Sequence, residues 1–458
     1  MSLTERLEAT RLPVQSQSPA RVPIDEPEAK QSAAMTQLKT AAITKLLDSV
    51  GSRLTDSSIT DDQLRKVVRD ELADIIAAEQ VLLTSEERRN LIRDIEDDAL
   101  GLGPLQRLLD DPTVSEIMVN GHERIYVERG GRLMDSGMRF ISEKQLRRVI
   151  ERIVSRVGRR IDDSSPMVDA RLPDGSRVNA VVPPLAVQGS SLTIRKFSDT
   201  PLVVADLVRM GTMSDPLAEF LNACVGARLN ILVAGGTGTG KTTLLNVLSS
   251  FIPSSERIVT IEDAMELKLM QDHVVTLEAR PPNIEGKGEI TIRDLVRNSL
   301  RMRPDRIVIG EVRGGESLDM LQAMNTGHDG SLSTLHANSP RDTISRLETL
   351  VLMAGMDLPL RAVREQISSA VDVIVQLTRM RDGSRRISYV TEVLGMENEN
   401  VVLQDLFLFD HSAGVDATGR LKGKSTFTGV RPRFFDKFEE LGIPFDPAAF
   451  MARVGERR

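Results

Sequence analysis

Apolar residues recur at spacings of three and four along residues 41–102, and this periodicity predicts amphipathic helices. One such stripe consists of Leu64, Val67, Val68, Leu72 and Ile75. Thr84 and Glu87 have the spacing of a capping box that opens a further helix. We therefore assign residues 35–100 to a small helical bundle.

Between residues 101 and 197 the pattern changes to short alternating runs bounded by glycine-containing turns, which are typical of strands and hairpins. The runs lie at residues 116–120, 124–128, 176–182 and 191–195, and a helix is predicted over 143–157. This mixture predicts an α+β N-terminal domain, followed by a linker at residues 198–212.

From residue 213 to the end, apolar runs that suit buried strands alternate with amphipathic helices. The strand candidates are residues 231–234, 258–261 and 307–309. This alternation predicts βαβ units and a mostly parallel sheet, so the fold class is α/β. A helical extension is expected at the C-terminal end of this domain.

Composition narrows the classes of protein that fit. The 59 basic and 66 acidic side chains give a net charge of −7, and aromatic residues make up only 3% of the chain, which disfavours a nucleic-acid binder. The single cysteine excludes an internal disulfide framework. No apolar run is long enough for a membrane span, and the polar, proline-containing residues 1–34 predict a disordered tail rather than a signal peptide. A cytoplasmic protein without a membrane span of its own is expected.

The sequence from Gly235 to Thr242 reads G-x₄-G-K-T, the phosphate-binding loop, and it lies between a predicted strand and a predicted helix. Glycines let backbone N–H groups turn toward phosphate oxygens, Lys241 can reach the β- and γ-phosphates, and the Thr242 hydroxyl can bind Mg²⁺. The residues assigned to nucleotide binding are Gly235, Gly236, Thr237, Gly238, Thr239, Gly240, Lys241, Thr242 and Thr243.

Carboxylates follow two other predicted strands. Glu262, Asp263 and Glu266 follow one, and Glu311 ends the other, where Gly310 occupies the position at which many phosphate-loop enzymes carry an aspartate. Such groups can orient an attacking water or hold Mg²⁺, directly or through water, as phosphoryl transfer requires. Surface acids at strand ends are the alternative interpretation.

Two histidines, His328 and His336, lie eight residues apart in a stretch rich in glycine, serine and threonine. They could sense phosphate, or they could be ordinary turn residues. No third ligand lies at a useful spacing, so a zinc site is not predicted.

These blocks together resemble the secretion ATPase superfamily of type II and type IV secretion and type IV pili. The order is that of the family: phosphate loop, an IED…E box (Ile261–Glu266), an IGE strand end (Ile309–Glu311) and a GH…STLHAN box (Gly327–Asn338). Flanking sequences, among them GLGPL at 101–105 and TIRKF at 193–197, are similar to the CpaF/TadA branch, which assembles tight-adherence (Flp) pili. The resemblance covers residues 40–458.

The resemblance implies a hexameric ring with a RecA-like ATPase domain, ATP and Mg²⁺ at the phosphate loop, and membrane-platform partners at the inner membrane. It implies that Glu266 orients the water beside Glu262 and Asp263, that Glu311 is the Walker B carboxylate, and that His328 and His336 form the His box. Arg177 and Arg195 match positions whose arginines approach the phosphates. The tetracysteine zinc site of many relatives is impossible with one cysteine.

Two other functions remain open on the sequence. A RecA-like hexameric nucleic-acid translocase would use Arg293, Arg297 and Arg301, which lie at intervals of four along a predicted helix. A nucleotide-gated regulator would hydrolyse little ATP, and the three carboxylates of the IED…E box disfavour it. Neither the cargo nor the direction of pilus movement can be read from the sequence.

Overall fold

The structure is a computed structural model of the 458-residue chain. It describes residues 61–78, 83–197, 201–283, 285–410, 412, 414–416 and 421–455, with part of 38–49. The predicted tail of residues 1–34 lies outside the described residues, so its disorder stays a prediction.

Two helices, α1 (Asp61–Ala78) and α2 (Ser85–Ala99), form the first part of the described chain. Their apolar stripes pack against each other and against buried side chains between residues 38 and 46. The predicted capping box is confirmed: the Glu87 N–H donates to the Thr84 hydroxyl at 3.2 Å, and the Thr84 N–H donates to the Glu87 carboxylate at 2.8 Å.

A six-stranded antiparallel sheet follows, in the order β3-β2-β1-β6-β5-β4. Its elements are α3 (Leu105–Asp110), β1 (Val114–Asn120), β2 (Ile125–Arg129), β3 (Arg132–Asp135), α4 (Glu143–Arg156), β4 (Met167–Arg171), β5 (Arg177–Val181) and β6 (Ser191–Arg195). Helix α4 packs its apolar stripe into the sheet's core. Strands β3 and β4 escaped the sequence pattern because they are the two edge strands and bury no complete side chain.

The second sheet has nine strands in the order β15-β14-β13-β12-β7-β11-β10-β8-β9. Its strands are β7 (Ile231–Gly235), β8 (Ile258–Glu262), β9 (Val274–Glu278), β10 (Arg306–Val312), β11 (Leu332–Leu335), β12 (Val373–Arg379), β13 (Arg385–Glu397), β14 (Asn400–Asp410) and β15 (Lys424–Phe427). The helices of this part are α5 (Val204–Arg209), α6 (Asp215–Gly226), α7 (Lys241–Ser249), α8 (Ile292–Ser299), α9 (Glu316–Asn325), α10 (Pro340–Leu352), α11 (Leu360–Ala370), α12 (Phe435–Glu440) and α13 (Pro447–Gly455). Helix α5 falls within the predicted linker.

Six neighbouring strands of this sheet are parallel: β12, β7, β11, β10, β8 and β9. Their carboxyl ends therefore meet at one edge of the sheet. Strand β7 is buried along its whole length, as expected for a central parallel strand covered on both faces. The mixed α/β class with a mostly parallel sheet is confirmed.

The C-terminal part contains strands in addition to the helices that the sequence predicted. Strands β13, β14 and β15 continue the sheet in antiparallel order before α12 and α13. The two helices pack on Phe220 of α6 through a cluster of phenylalanines, with ring centroids 5.9 Å apart for Phe220 and Phe450. Strands β13 and β14 carry mixed polar and apolar residues, so the sequence shows no buried apolar run there that would predict them. Within the described residues, no helix is both long and apolar enough to cross a membrane.

Candidate active site

The phosphate-loop motif connects β7 to α7 at the carboxyl edge of the parallel strands. Gly238 and Gly240 adopt positive φ angles of 70° and 94°, a region that side chains other than glycine rarely enter. At Gly235 a Cβ atom would lie 2.6 Å from the Thr239 hydroxyl oxygen and 2.8 Å from the Leu377 carbonyl oxygen. The glycines at these three positions are therefore required by the backbone itself.

Lys241 begins α7 and is buried beneath the loop. Its Nζ donates to the Gly236 carbonyl at 3.1 Å, and the Thr239 hydroxyl donates to the same oxygen at 2.9 Å. Burial lowers the pKa of Lys241, and the nearby Glu311 carboxylate opposes this shift. Thr242 and Thr243 are half-buried in the same helical turn.

Glu311, near the carboxyl end of β10, connects several groups to the loop. Its Oε1 lies 2.5 Å from His336 Nδ1, and Arg313 Nε donates to its Oε2 at 2.7 Å. The other ring nitrogen of His336, Nε2, lies 3.3 Å from the Thr237 hydroxyl of the phosphate loop. His336 thus contacts both the β10 carboxylate and the phosphate loop.

The IED…E segment contributes three carboxylates in three different environments. Glu262 is only 2% exposed, and burial raises its pKa to about 7, against opposing hydrogen bonds from the backbone of Glu266 and Leu267. Asp263 is exposed, with its Oδ2 3.6 Å from Arg313 Nη1. Glu266 is half-buried and points toward the N-terminal domain.

Strand β5 of the N-terminal domain brings an arginine to this segment. Arg177 Nη1 lies 3.1 Å from the Glu266 carboxylate, and its Nη2 donates to the Ala264 carbonyl at 2.7 Å. One strand over, Arg171 pairs with Glu278 at 2.9 Å. In the sheet register Arg177 lies between Arg171 and Arg195, so Arg195 is exposed on the same face. Arg177 of the N-terminal domain thus contacts the IED…E segment, and its approach to the phosphates stays a prediction.

A second contact between the domains lies on the other side of the phosphate loop. The Gly131 carbonyl, in the turn between β2 and β3, accepts a hydrogen bond from Arg379 Nη2 at 3.3 Å. Arg379 ends β12, which neighbours β7 on one side, whereas β8 and β9 lie on the other side. The N-terminal domain therefore contacts the carboxyl edge of the sheet on both flanks of the loop.

His328 is not brought to the phosphate loop in this chain. It precedes β11, and nearby Gly330 donates its N–H to the side chain of Asn230, which precedes β7. Because β7 and β11 are parallel, these residues lie at the amino edge, opposite to His336. A role for His328 stays a prediction.

Two arginines near the loop were missed by sequence reasoning. Arg313 contacts both Glu311 and Asp263, and its position two residues after Glu311 was a usable signal. Arg385 donates from Nε to the Gly238 carbonyl at 2.9 Å. It comes from β13, almost 150 residues after the loop, so only the sheet pairing reveals it.

The three arginines that a nucleic-acid translocase would use lie on and just after α8. Arg293 and Arg297 on α8 both bind Asp319 of α9, at 2.7 Å each. Two of the three charges are therefore used in ion pairs within the chain, and only Arg301 stands exposed without a described ion pair. Arg293 and Arg297 thus join α8 to α9, which disfavours their use in binding nucleic acid.

Comparison with known proteins identifies the family. Residues 98–420 match the model described as "Type II/IV secretion system protein", and the chain belongs to this family. A Mycobacterium tuberculosis protein provisionally named for conjugal transfer is 40% identical over 305 residues, which are 65% of this chain and 86% of that protein. The conjugal transfer protein TrbB of Rhizobium radiobacter is 33% identical over 315 residues, covering 68% of this chain and 92% of TrbB.

Among solved structures, the VirB11 ATPase of the Brucella suis type IV secretion system, crystallised with sulphate, is 33% identical. The match covers 63% of this chain and 92% of VirB11, with a TM-score of 0.35. The relationship therefore rests on the sequences rather than on superposition of the whole chains.

Proposed function

We propose that this chain is an ATP hydrolase that powers a type II/IV secretion machine, with the assembly of a tight-adherence pilus as the particular task. The observation that carries the proposal is the meeting of Lys241, Glu311, His336 and Glu266 at one sheet edge, with Arg177 of the N-terminal domain beside them. Family membership supports the same conclusion.

The residues at this edge fit ATP with Mg²⁺. A threonine hydroxyl and a strand-end carboxylate, Thr242 and Glu311, are hard oxygen donors of the kind that Mg²⁺ prefers, directly or through its waters. The ion would neutralise negative charge on the phosphates. Lys241 Nζ, now bonded to the Gly236 carbonyl, would exchange that oxygen for phosphate oxygens, and α7 would present its N-terminal N–H groups.

In hydrolysis, Glu266 would orient the attacking water and Arg177 would stabilise charge that accumulates on the transferred phosphoryl group. Arg195, next to Arg177 in the sheet, would add a second guanidinium. Since both arginines belong to the N-terminal domain, ATP would hold the two domains closed and phosphate release would free them. This coupling would convert chemistry into motion.

The working assembly in this proposal is a homo-hexamer with a RecA-like ATPase domain in each subunit. It would act on the cytoplasmic side of the inner membrane through platform proteins of the pilus or secretion machine, without nucleic acid. The tight-adherence branch is supported by the sequence blocks at 101–105 and 193–197.

The test is steady-state ATP hydrolysis by Lys241→Ala and Glu311→Gln. The first variant should fall to background while staying folded, because the γ-phosphate cation is lost and the loop glycines remain. The second should still bind ATP but turn over about 10²-fold more slowly, since an amide replaces the carboxylate at nearly equal volume.

Lys144→Ala is the matched control, since Lys144 is exposed on α4 of the N-terminal domain. It should hydrolyse ATP like the wild type. Wild-type turnover by Lys241→Ala, or no ATP hydrolysis by the wild type itself, would refute the proposal.

A further inference from the structure

The side chain of Glu262 crosses the neighbouring strand at the one position that has no side chain. Strands β8 and β10 are parallel with Ile261 opposite Ile309, so Glu262 comes next to Gly310. A Cβ atom on Gly310 would lie only 3.0 Å from Glu262 Cγ and 3.5 Å from its Oε2. The space that an aspartate at position 310 would need is thus filled by Glu262.

From this position Glu262 holds the backbone of the following segment. Its Oε2 accepts the N–H of Glu266 at 2.7 Å and the N–H of Leu267 at 3.0 Å. The next residue, Lys268, donates its N–H to Asn246 of α7 at 2.9 Å. The segment that carries Glu266 is therefore held by hydrogen bonds to Glu262 and to α7, the helix that follows the phosphate loop.

The two glutamates of this segment differ in access to solvent. Glu262 is 2% exposed, and its Oε1 is buried without a hydrogen-bond partner among the described residues. The Glu266 side chain is 29% exposed and pairs with Arg177. A carboxylate that orients an attacking water must reach that water, and Glu266 has this access whereas Glu262 does not.

We infer that Glu262 is a positioning residue that holds Glu266 in place through its backbone N–H, and that Gly310 lacks a side chain to make room for it. This inference rests on the proposed ATP hydrolysis and assigns separate tasks to two carboxylates of one segment. Glu262 acts as a hydrogen-bond acceptor, and its negative charge is not required for that task.

The experiment compares Glu262→Ala with Glu262→Gln, measuring kcat and KM for ATP and, separately, the affinity for Mg·ADP. Alanine removes the acceptor, so kcat should fall about 10²-fold through misplacement of Glu266. KM and ADP affinity should stay within about twofold, because the phosphate loop is untouched. Glutamine keeps a carbonyl oxygen at the same place, so its kcat should recover to within about threefold of the wild type.

Equal loss of kcat in the glutamine and alanine variants would overturn the inference, since it would mean that the charge itself takes part in the chemistry. So would an unchanged kcat in Glu262→Ala. A parallel loss of ADP affinity would instead make Glu262 a nucleotide ligand and would also refute it.

Gly310→Ala gives an independent version of the test if Glu262→Ala fails to fold. It adds one methyl group and changes no other side chain. The added methyl group should displace Glu262 and lower kcat as Glu262→Ala does. Where Glu262→Ala folds, the two effects should not add in the double variant, since the side chain that the methyl group contacts is gone. Additive losses of kcat would contradict the inference. A wild-type protein that hydrolyses no ATP would instead refute the proposed function.

Discussion

The two edges of the parallel sheet differ in how their charged side chains are partnered. At the amino edge, Arg306 is fully buried and its guanidinium donates to Glu256 at 2.6 Å, to the Gly330 carbonyl at 3.1 Å and to the Val225 carbonyl at 2.9 Å. Asn230, just before β7, accepts the N–H of Gly330, just before β11, at 2.9 Å and so connects the starts of these two strands. A buried charge is tolerated here because the chain itself supplies its partners.

At the carboxyl edge, charged side chains lack complete partners among the residues that the structure describes. Glu262 keeps an unpaired buried oxygen, and the Lys241 ammonium bonds to a carbonyl of its own loop. Two loop glycines have positive φ, and the second domain supplies Arg177. From this difference we infer that the amino edge stabilises the fold, whereas the carboxyl edge leaves polar groups available for the nucleotide proposed above.

The largest expected effect is on turnover, from the arginines of the N-terminal domain. Arg177→Ala should lower kcat by about 10³-fold, because positive charge near the transferred phosphoryl group is lost. Arg195→Lys, which keeps the charge but loses the bidentate fork, should also lower turnover strongly. ATP hydrolysis and nucleotide affinity are measured separately, with subunit assembly checked in parallel.

Stability should change little in Arg177→Ala, since the ion pair with Glu266 is about one-third exposed at the arginine and contributes at most about 1 kcal/mol. If both arginine variants hydrolyse ATP at the wild-type rate, the N-terminal domain does not act on the phosphates and the coupling mechanism is wrong.

The next effect is on stability and comes from the amino edge. Arg306→Met should lower the free energy of unfolding by about 3 kcal/mol, because Glu256 loses a buried partner and, among the described residues, keeps the ion pair with Arg228 at 3.1 Å. Urea unfolding measures this loss. Below the unfolding transition the variant should still bind nucleotide, which sharpens the contrast between the edges.

Arg301→Met is the matched control, because Arg301 is exposed after α8 and its replacement should change stability by less than about 0.5 kcal/mol. Equal destabilisation by both variants would show that the buried network at the amino edge has no special part in holding the fold.

The smallest effect is a pH dependence at Glu262. Its pKa is raised by burial from 4.5 to about 7, so the folded state favours the protonated form, and stability from this group declines as the pH rises from 4.5 through 7. Glu262→Gln stays neutral, so it should gain about 1–3 kcal/mol on the wild type between pH 5 and pH 8. Unfolding at the two pH values measures this gain, and a glutamine variant that loses stability at pH 8 would show that the ionised carboxylate is the better partner.

The sequence by itself determined the elements whose signals are local. The phosphate loop was predicted from eight consecutive residues, Gly235–Thr242, because its turn needs glycines at fixed positions. Three of the buried parallel strands, β7, β8 and β10, were predicted from apolar runs, and the capping box of α2 from a three-residue spacing. Each of these signals is carried by residues within a short stretch of chain.

Tertiary structure decided everything that depends on which strands are neighbours. Only the order of the sheet puts Glu262 against Gly310, Arg385 on the loop and His328 at the edge opposite to His336. The edge strands and the antiparallel strands β13 to β15 escaped because partial exposure breaks the apolar pattern. Burial and pairing are properties of residues far apart along the chain, so the different tasks of similar carboxylates are fixed only when the sheet has formed.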